Sequence, residues 1–169
     1  GRFIEVVNAD LAKNLGNLLN RNLNMIKKYC GGSVPSITSE DVPDDNPLKV
    51  IGLQLGEQVK ANYEALAFNQ ACEGIMRLSQ ACNKYVDEQA PWSLYKQGRQ
   101  QEVEQVLYVI LESVRLAAYL LSPVIPNISS DIYQQLGFGI DFNNQIDTAN
   151  SVPFAVHGKW GLLSSEQKL

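Results

Sequence analysis

Histidine is almost missing from this chain: of 169 residues only His157 carries an imidazole. It stands apart from any cysteine or carboxylate cluster at metal-ligand spacing, which argues against a zinc site or a nucleophile–histidine–acid arrangement and for a plain surface position in a tail. Cysteine is nearly as scarce. Cys30, Cys72 and Cys82 are odd in number and lack CxxC spacing, so neither a disulfide framework nor a zinc ribbon is expected, and a reducing compartment fits. Cys72 and Cys82 fall on one expected helix, where ten residues of rise hold them roughly 15 Å apart, beyond disulfide reach. They read as small buried apolar residues.

Long apolar runs are missing too. No stretch reaches the length of a membrane span, and the opening Gly1-Arg2-Phe3-Ile4-Glu5 lacks a secretory pattern, so a cytoplasmic chain without a membrane partner is expected. No GxGxxG or GKS/T element offers a phosphate loop, and no metal or cofactor site is expected in this chain. Nor is there an excess of positive charge. The formal net charge is −4, which removes broad, sequence-blind attraction to a phosphate backbone and confines any RNA contact to a local patch.

What is present is the composition of a folded protein: 45% of the residues are apolar and 19% charged, enough for one domain spanning 1–169. Leu11, Leu15, Leu18, Met25 and Ile26 recur at helical spacing, which predicts a first helix from an N-cap at Asn8 to about Tyr29, stopped by Gly31-Gly32. The stretch from Gly31 to Pro47, with Glu40, Asp41, Asp44 and Asp45, reads as a solvated loop. Asn46-Pro47 has the form of an N-cap followed by proline at the first helical position, opening a helix to about Leu66. A third stripe, Ala71, Ile75, Leu78, Cys82 and Tyr85, runs until the ring of Pro91 stops it.

Val103 to Leu121 is the most apolar segment and the expected central helix, ended by Pro123 and Pro126; a short fifth helix covers Ser129 to Leu136. An irregular tail follows from about 137. With no convincing period-two strand, the expected fold is all-α, an antiparallel bundle of about five helices.

Two features stand out from this frame. On the first helix Asn14, Asn17, Arg21, Asn24 and Lys28 share a polar face. Asparagine is a poor helix former, so a face rich in it needs a reason. Asn17 and Arg21, one turn apart, can read base edges; alternatively the stripe hydrogen-bonds to neighbouring loops or helices. The second feature is Trp92. Following Pro91, it sits past a helix stop on a loop, where an indole either stacks on an unpaired base or anchors the loop to the core. Asn83, Tyr85 and Asp87 lead up to it.

The run Asn8-Ala9-Asp10-Leu11, continuing through Gly16-Asn17-Leu18 to Arg21, resembles the opening of the anticodon-binding domain of methionyl-tRNA synthetases. Asn83-Lys84-Tyr85-Val86-Asp87 with Pro91-Trp92, then Leu121-Ser122-Pro123-Val124-Ile125-Pro126 and Lys159-Trp160-Gly161-Leu162-Leu163, resemble that family's later motifs in order. The resemblance implies that Asn17, Arg21, Asp87, Pro91 and Trp92 contact or discriminate a CAU anticodon, with Asn14, Asn24 and Asn83 in support. It implies methionine tRNA as partner, and a catalytic domain in the same parent chain that uses ATP and methionine. That domain's HIGH-like and KMSKS-like motifs do not occur here, and Gly1 is not a natural start, so the chain is expected to be a catalytically empty piece of a longer ligase. The competing expectations are the corresponding domain of another class I synthetase and a noncatalytic helical adaptor that binds protein through an apolar patch including Trp92.

Overall fold

The computed structural model describes residues 2–143 and 153–169. Its helices are α1 (Arg2–Tyr29), α2 (Pro47–Glu64), α3 (Phe68–Gln89), α4 (Pro91–Lys96), α5 (Gln100–Leu121), α6 (Pro126–Gln135) and a single turn, α7 (Phe154–His157), with a 3-10 turn at Ser39–Asp41. Among the described residues there is no strand, and the all-α bundle expected from the apolar stripes is the fold.

Side-chain contacts set the helix directions. Asn14 of α1 meets Ser79 and Asn83, and Arg21 meets Asp87, so α1 and α3 run the same way. Asn46, at the start of α2, reaches Tyr85 near the end of α3, so those two run antiparallel. Asn22 of α1 donates to the Leu107 carbonyl at 3.1 Å and Gln100 to the Tyr29 carbonyl at 2.9 Å, so α5 runs against α1. α5 is the central helix, buried from Val103 to Ala118 almost without interruption except at its first turns, and touching α1, α2, α3, α4 and α6.

The cap expected at Asn46 is present: its Oδ1 accepts from the backbone N–H groups of Leu48 at 3.1 Å and Lys49 at 3.2 Å, with Pro47 at the first position. Asn8 is not a cap. α1 begins at Arg2, because nothing in residues 2–7 breaks a helix, and Asn8 instead accepts the Cys72 thiol at 3.4 Å. Pro126 does not merely terminate the preceding helix; it opens α6 three residues before the expected Ser129, since its missing N–H would be unpaired at that position anyway.

The segment between α1 and α2 is more than a solvated loop. Glu40, Asp41, Asp44 and Asp45 are exposed, but Val34, Pro35 and Val42 are buried. Lys49, itself buried, donates to the Ser39 and Val42 carbonyls at 2.8 Å each. The three thiols are free, and burial is the main force raising each: Cys82 to about 12 and Cys30, with Glu104 nearby, to about 11. None is poised as a thiolate.

The tail corrects the sequence expectation most. His157 is not a surface residue: it is 7% exposed, and Phe142, Trp160 and Leu163 are buried with it. Residues 144–152 of the tail expected to be irregular lie outside the described residues. What draws the tail in is a charge pair wholly inside α5. Arg115 Nε and Nη2 donate to the two Glu112 oxygens at 2.6 and 3.0 Å, and both side chains are fully buried. Arg115 also donates to the Tyr133 hydroxyl at 2.9 Å and to the carbonyls of His157 at 2.8 Å and Lys159 at 2.7 Å. Glu112 accepts from the N–H groups of Gly161, Leu162 and Leu163. Burial alone would pull the guanidinium down, but the Glu112 carboxylate and the Tyr133 hydroxyl more than offset that and hold it charged.

Glycines let the tail come this close. A Cβ on Gly56 would strike the Gly158 carbonyl oxygen, and one on Gly52 the Trp160 ring. Gly56→Ala should therefore destabilise by about 1–3 kcal/mol, although alanine is favoured over glycine in a helix by about 1 kcal/mol. Urea unfolding checks this. A Gly56→Ala protein more stable than wild type would mean that the tail does not seat on α2.

Candidate nucleic-acid interface

One end of the bundle gathers the end of α1, the end of α3, the whole of α4 and the start of α5. The polar stripe of α1 runs toward this end, beside the last turn of α3. There Ala90 turns the chain through a left-handed conformation, φ 45°, uncommon for a residue other than glycine. Pro91 then opens α4 at its first position. Trp92 is accordingly not on a loop past a helix stop, as expected, but on the first turn of a new helix, because a proline that cannot continue one helix is well suited to begin the next.

Three helices thus deliver three of the expected residues to one spot. The Arg21 guanidinium carbon lies 5.7 Å from the Trp92 ring centroid, and Arg21 Nη2 lies 3.6 Å from Asp87 Oδ1. The Arg21 and Asp87 side chains are 49% and 71% exposed, and 3.6 Å is long for a charge-assisted hydrogen bond, so water competes for both partners and the pair contributes little to stability. Arg21 is pre-positioned without being locked. The indole is 36% exposed, while Pro91 beneath it is buried. A partly exposed ring with a cation over it has the chemistry to take an unpaired base on its remaining face and a phosphate at the cation.

The asparagines divide. Asn83 Nδ2 donates to Asn14 Oδ1 at 2.7 Å, and Asn14 Nδ2 donates to the Ser79 hydroxyl, so this pair is occupied in tying α1 to α3. Their support of the interface is mechanical: they fix the two helices that carry Arg21 and Asp87. Asn17 and Asn24 are exposed on the same stripe.

Sequence reasoning overlooked two neighbours. Asn22, one position off the stripe, is 1% exposed and bonds α5; among the described residues its Oδ1 has no partner. Tyr95 is 44% exposed and packs tilted against Tyr29 with centroids 4.4 Å apart. The available signal was Pro91 at a helix start, which would have placed Tyr95 one turn after Trp92 on the same face.

Behind α4 a cavity of about 360 Å³ opens between α3 and α5, where Glu88 and Glu102 line the wall and Arg99 is already paired to Glu102, an unfavourable lining for phosphate. At the other end an apolar cavity of about 210 Å³ is lined by Val59, Tyr63, Leu120, Pro123 and Phe154. Among the described residues no group of three or more His, Cys, Asp or Glu is placed to hold a metal ion.

Residues 54–164 match the family model described as the anticodon-binding domain of tRNA ligase. The chain is 68% identical over 168 residues to a methionine–tRNA ligase of Nostoc sp., an alignment covering 99% of this chain and 31% of that protein. It is 40% identical over 98% of its length to the chloroplastic/mitochondrial methionine–tRNA ligase of Arabidopsis thaliana, covering 26% of that protein. The structure of Mycobacterium tuberculosis methionyl-tRNA synthetase in complex with methionyl-adenylate aligns with a TM-score of 0.74 at 33% identity, covering 96% of this chain and 30% of that one. The chain spans about a third of the length of the curated relatives it matches. The family model begins at residue 54, whereas the alignments to the relatives also take in the α1 stripe.

Proposed function

The chain belongs to the family of anticodon-binding domains of tRNA ligases, and from that premise we propose that it reads the CAU anticodon loop of methionine tRNA through the face bearing Asn17, Arg21 and Trp92. A catalytic domain in the same parent chain then activates methionine with ATP and charges that tRNA. The observation that carries this reading is the meeting of Arg21, Asp87 and Trp92 from three helices on one exposed surface. In a chain of net charge −4, recognition has to come from such a local cluster rather than from a general attraction to phosphate.

The division of labour follows from side-chain chemistry. Trp92 offers a π-face that any base can stack on, so it supplies affinity with little discrimination. The Arg21 fork and the Asn17 amide offer directional donors and an acceptor, which suit base edges. Asp87 holds Arg21 loosely in place, and its carboxylate opposes a misplaced phosphate or accepts from a base amino group. A reducing cytoplasm is the compartment that suits three free thiols.

The test places Arg21→Ala and Trp92→Ala in the full-length ligase and compares charging of CAU-bearing tRNA with charging of an acceptor minihelix that lacks the anticodon. Loss of one stacked base is worth about 1–3 kcal/mol, so kcat/KM for the intact tRNA should fall by roughly 5- to 150-fold while the minihelix is charged as before. Equal losses on both substrates would overturn the assignment.

A further inference from the structure

The interface carries a second aromatic surface that Trp92 does not account for. Tyr95 follows Trp92 by three residues on α4, which places both rings on one face with Cβ atoms roughly 5–6 Å apart. Tyr95 lies against Tyr29, the last residue of α1, at 4.4 Å between centroids and 31° between planes. Lys28 Nζ sits 5.6 Å from the Tyr29 centroid. A cation from α1 therefore accompanies each aromatic group at this end: Arg21 lies over Trp92, and Lys28, two helical turns further on, lies over Tyr29, the ring that backs Tyr95.

Packing does not require this arrangement. α4 is seated on the core by buried Pro91 and by Leu94, and the end of α1 is tied to α5 through the Gln100 bond to the Tyr29 carbonyl. Tyr95 remains 44% exposed, so much of one ring is offered to solvent. Charge points the same way. Lys27, Lys28 and Lys96 occupy the last turns of α1 and α4 at this rim, in a chain whose overall charge is negative. A ring next to a cation, repeated along one face, is suited to successive bases of a single strand and the phosphates between them.

We propose that Tyr95, backed by Tyr29 and flanked by Lys28, is a second stacking platform that takes the unpaired nucleotide adjacent to the one on Trp92 in the same RNA loop. This rests on the anticodon-loop reading of the interface and adds a residue that reading does not use. The platform selects for an unpaired purine or pyrimidine with an accessible face, and Lys28 contributes a phosphate contact rather than sequence discrimination.

The experiment measures Kd of the full-length ligase for a series of methionine tRNAs, each with one anticodon-loop nucleotide made abasic. The proteins are wild type, Trp92→Ala, Tyr95→Ala, Tyr95→Leu and Tyr95→Trp. Leucine keeps apolar packing on Tyr29 but has no π-face, and thermal melts confirm that each variant is folded. Tyr95→Ala and Tyr95→Leu should weaken binding of intact tRNA about tenfold, and Tyr95→Trp should restore it. The loss should vanish with one abasic tRNA only, whose missing base neighbours the position that couples to Trp92. Binding by Tyr95→Leu within about twofold of wild type on intact tRNA, or an equal loss on every abasic tRNA, overturns the platform. If Trp92 couples to a loop position and Tyr95 to none, the platform alone fails; if neither couples, the anticodon reading fails with it.

Discussion

Glu112→Gln should lower the stability of the domain by about 3–5 kcal/mol, because it leaves the Arg115 charge buried without its counter-ion. The loss goes beyond one pair. The two Glu112 oxygens also accept the N–H groups of Gly161, Leu162 and Leu163, so the substitution weakens the attachment of the tail at the same point. At about 2–4 °C per kcal/mol for a domain of this size, melting should fall by about 6–20 °C. The contrast is Glu102→Gln in the Arg99–Glu102 pair, whose side chains are each 51% exposed; that variant should stay within about 0.5 kcal/mol of wild type.

Replacing both charges by apolar residues, which can be neutral for a self-contained buried pair, should not rescue this one. Arg115 serves the carbonyls of His157 and Lys159 as Glu112 serves the following N–H groups, so Glu112→Leu with Arg115→Met would strand tail backbone groups in the interior. Urea midpoints for the single and double variants decide this. A Glu112→Gln loss below about 1 kcal/mol, or full recovery in the double variant, would mean that the pair does not anchor the tail.

The second large effect is on pH dependence. Burial in the first place, and then the Arg115 charge, push His157 down from its ordinary 6.5 to about 4. The Tyr133 hydroxyl oxygen accepts from Arg115 and lies 2.9 Å from His157 Nδ1, so a neutral ring protonated at Nε2 can accept the hydroxyl proton at Nδ1. Above about 6.5 neither the folded nor the unfolded histidine is charged, and stability is full. As pH falls from there toward about 4 the unfolded chain takes up a proton that the folded chain refuses, so stability drops; below about 4 the folded form also protonates and the difference stops growing. At about 1.4 kcal/mol per unit the total comes to about 3 kcal/mol. Urea unfolding of wild type and His157→Gln across this window should show the slope in wild type and a flatter profile in the variant. Equal slopes would place the proton uptake elsewhere.

The helices were legible because their apolar residues repeat at a spacing that only one face of a helix satisfies, and the Asn46-Pro47 start because its cap is a local hydrogen bond between neighbours in sequence. Proline was read less well. A ring that stops one helix and a ring that starts the next are the same residue, and Pro91 and Pro126 take the second role because the chain after each can fold back on α5. Asn8 misled for a related reason: a capping residue signals a start only where the preceding chain is unable to be helical.

The amino-acid sequence by itself determined an acidic all-α domain, its central helix, the odd asparagine stripe and, through ordered motifs, the family. Only the tertiary structure decided which stripe residues are free and which are consumed, bringing Asn14 to Asn83 and Arg21 to Asp87 and Trp92. It also decided that a lone tail histidine lies buried beside a charge pair in the middle of α5. Periodicity reports which face of a helix is apolar; which partner that face or its polar opposite meets depends on contacts between residues some 65 or more positions apart in the Asn14, Arg21 and Asn83 cluster, and no local pattern encodes those.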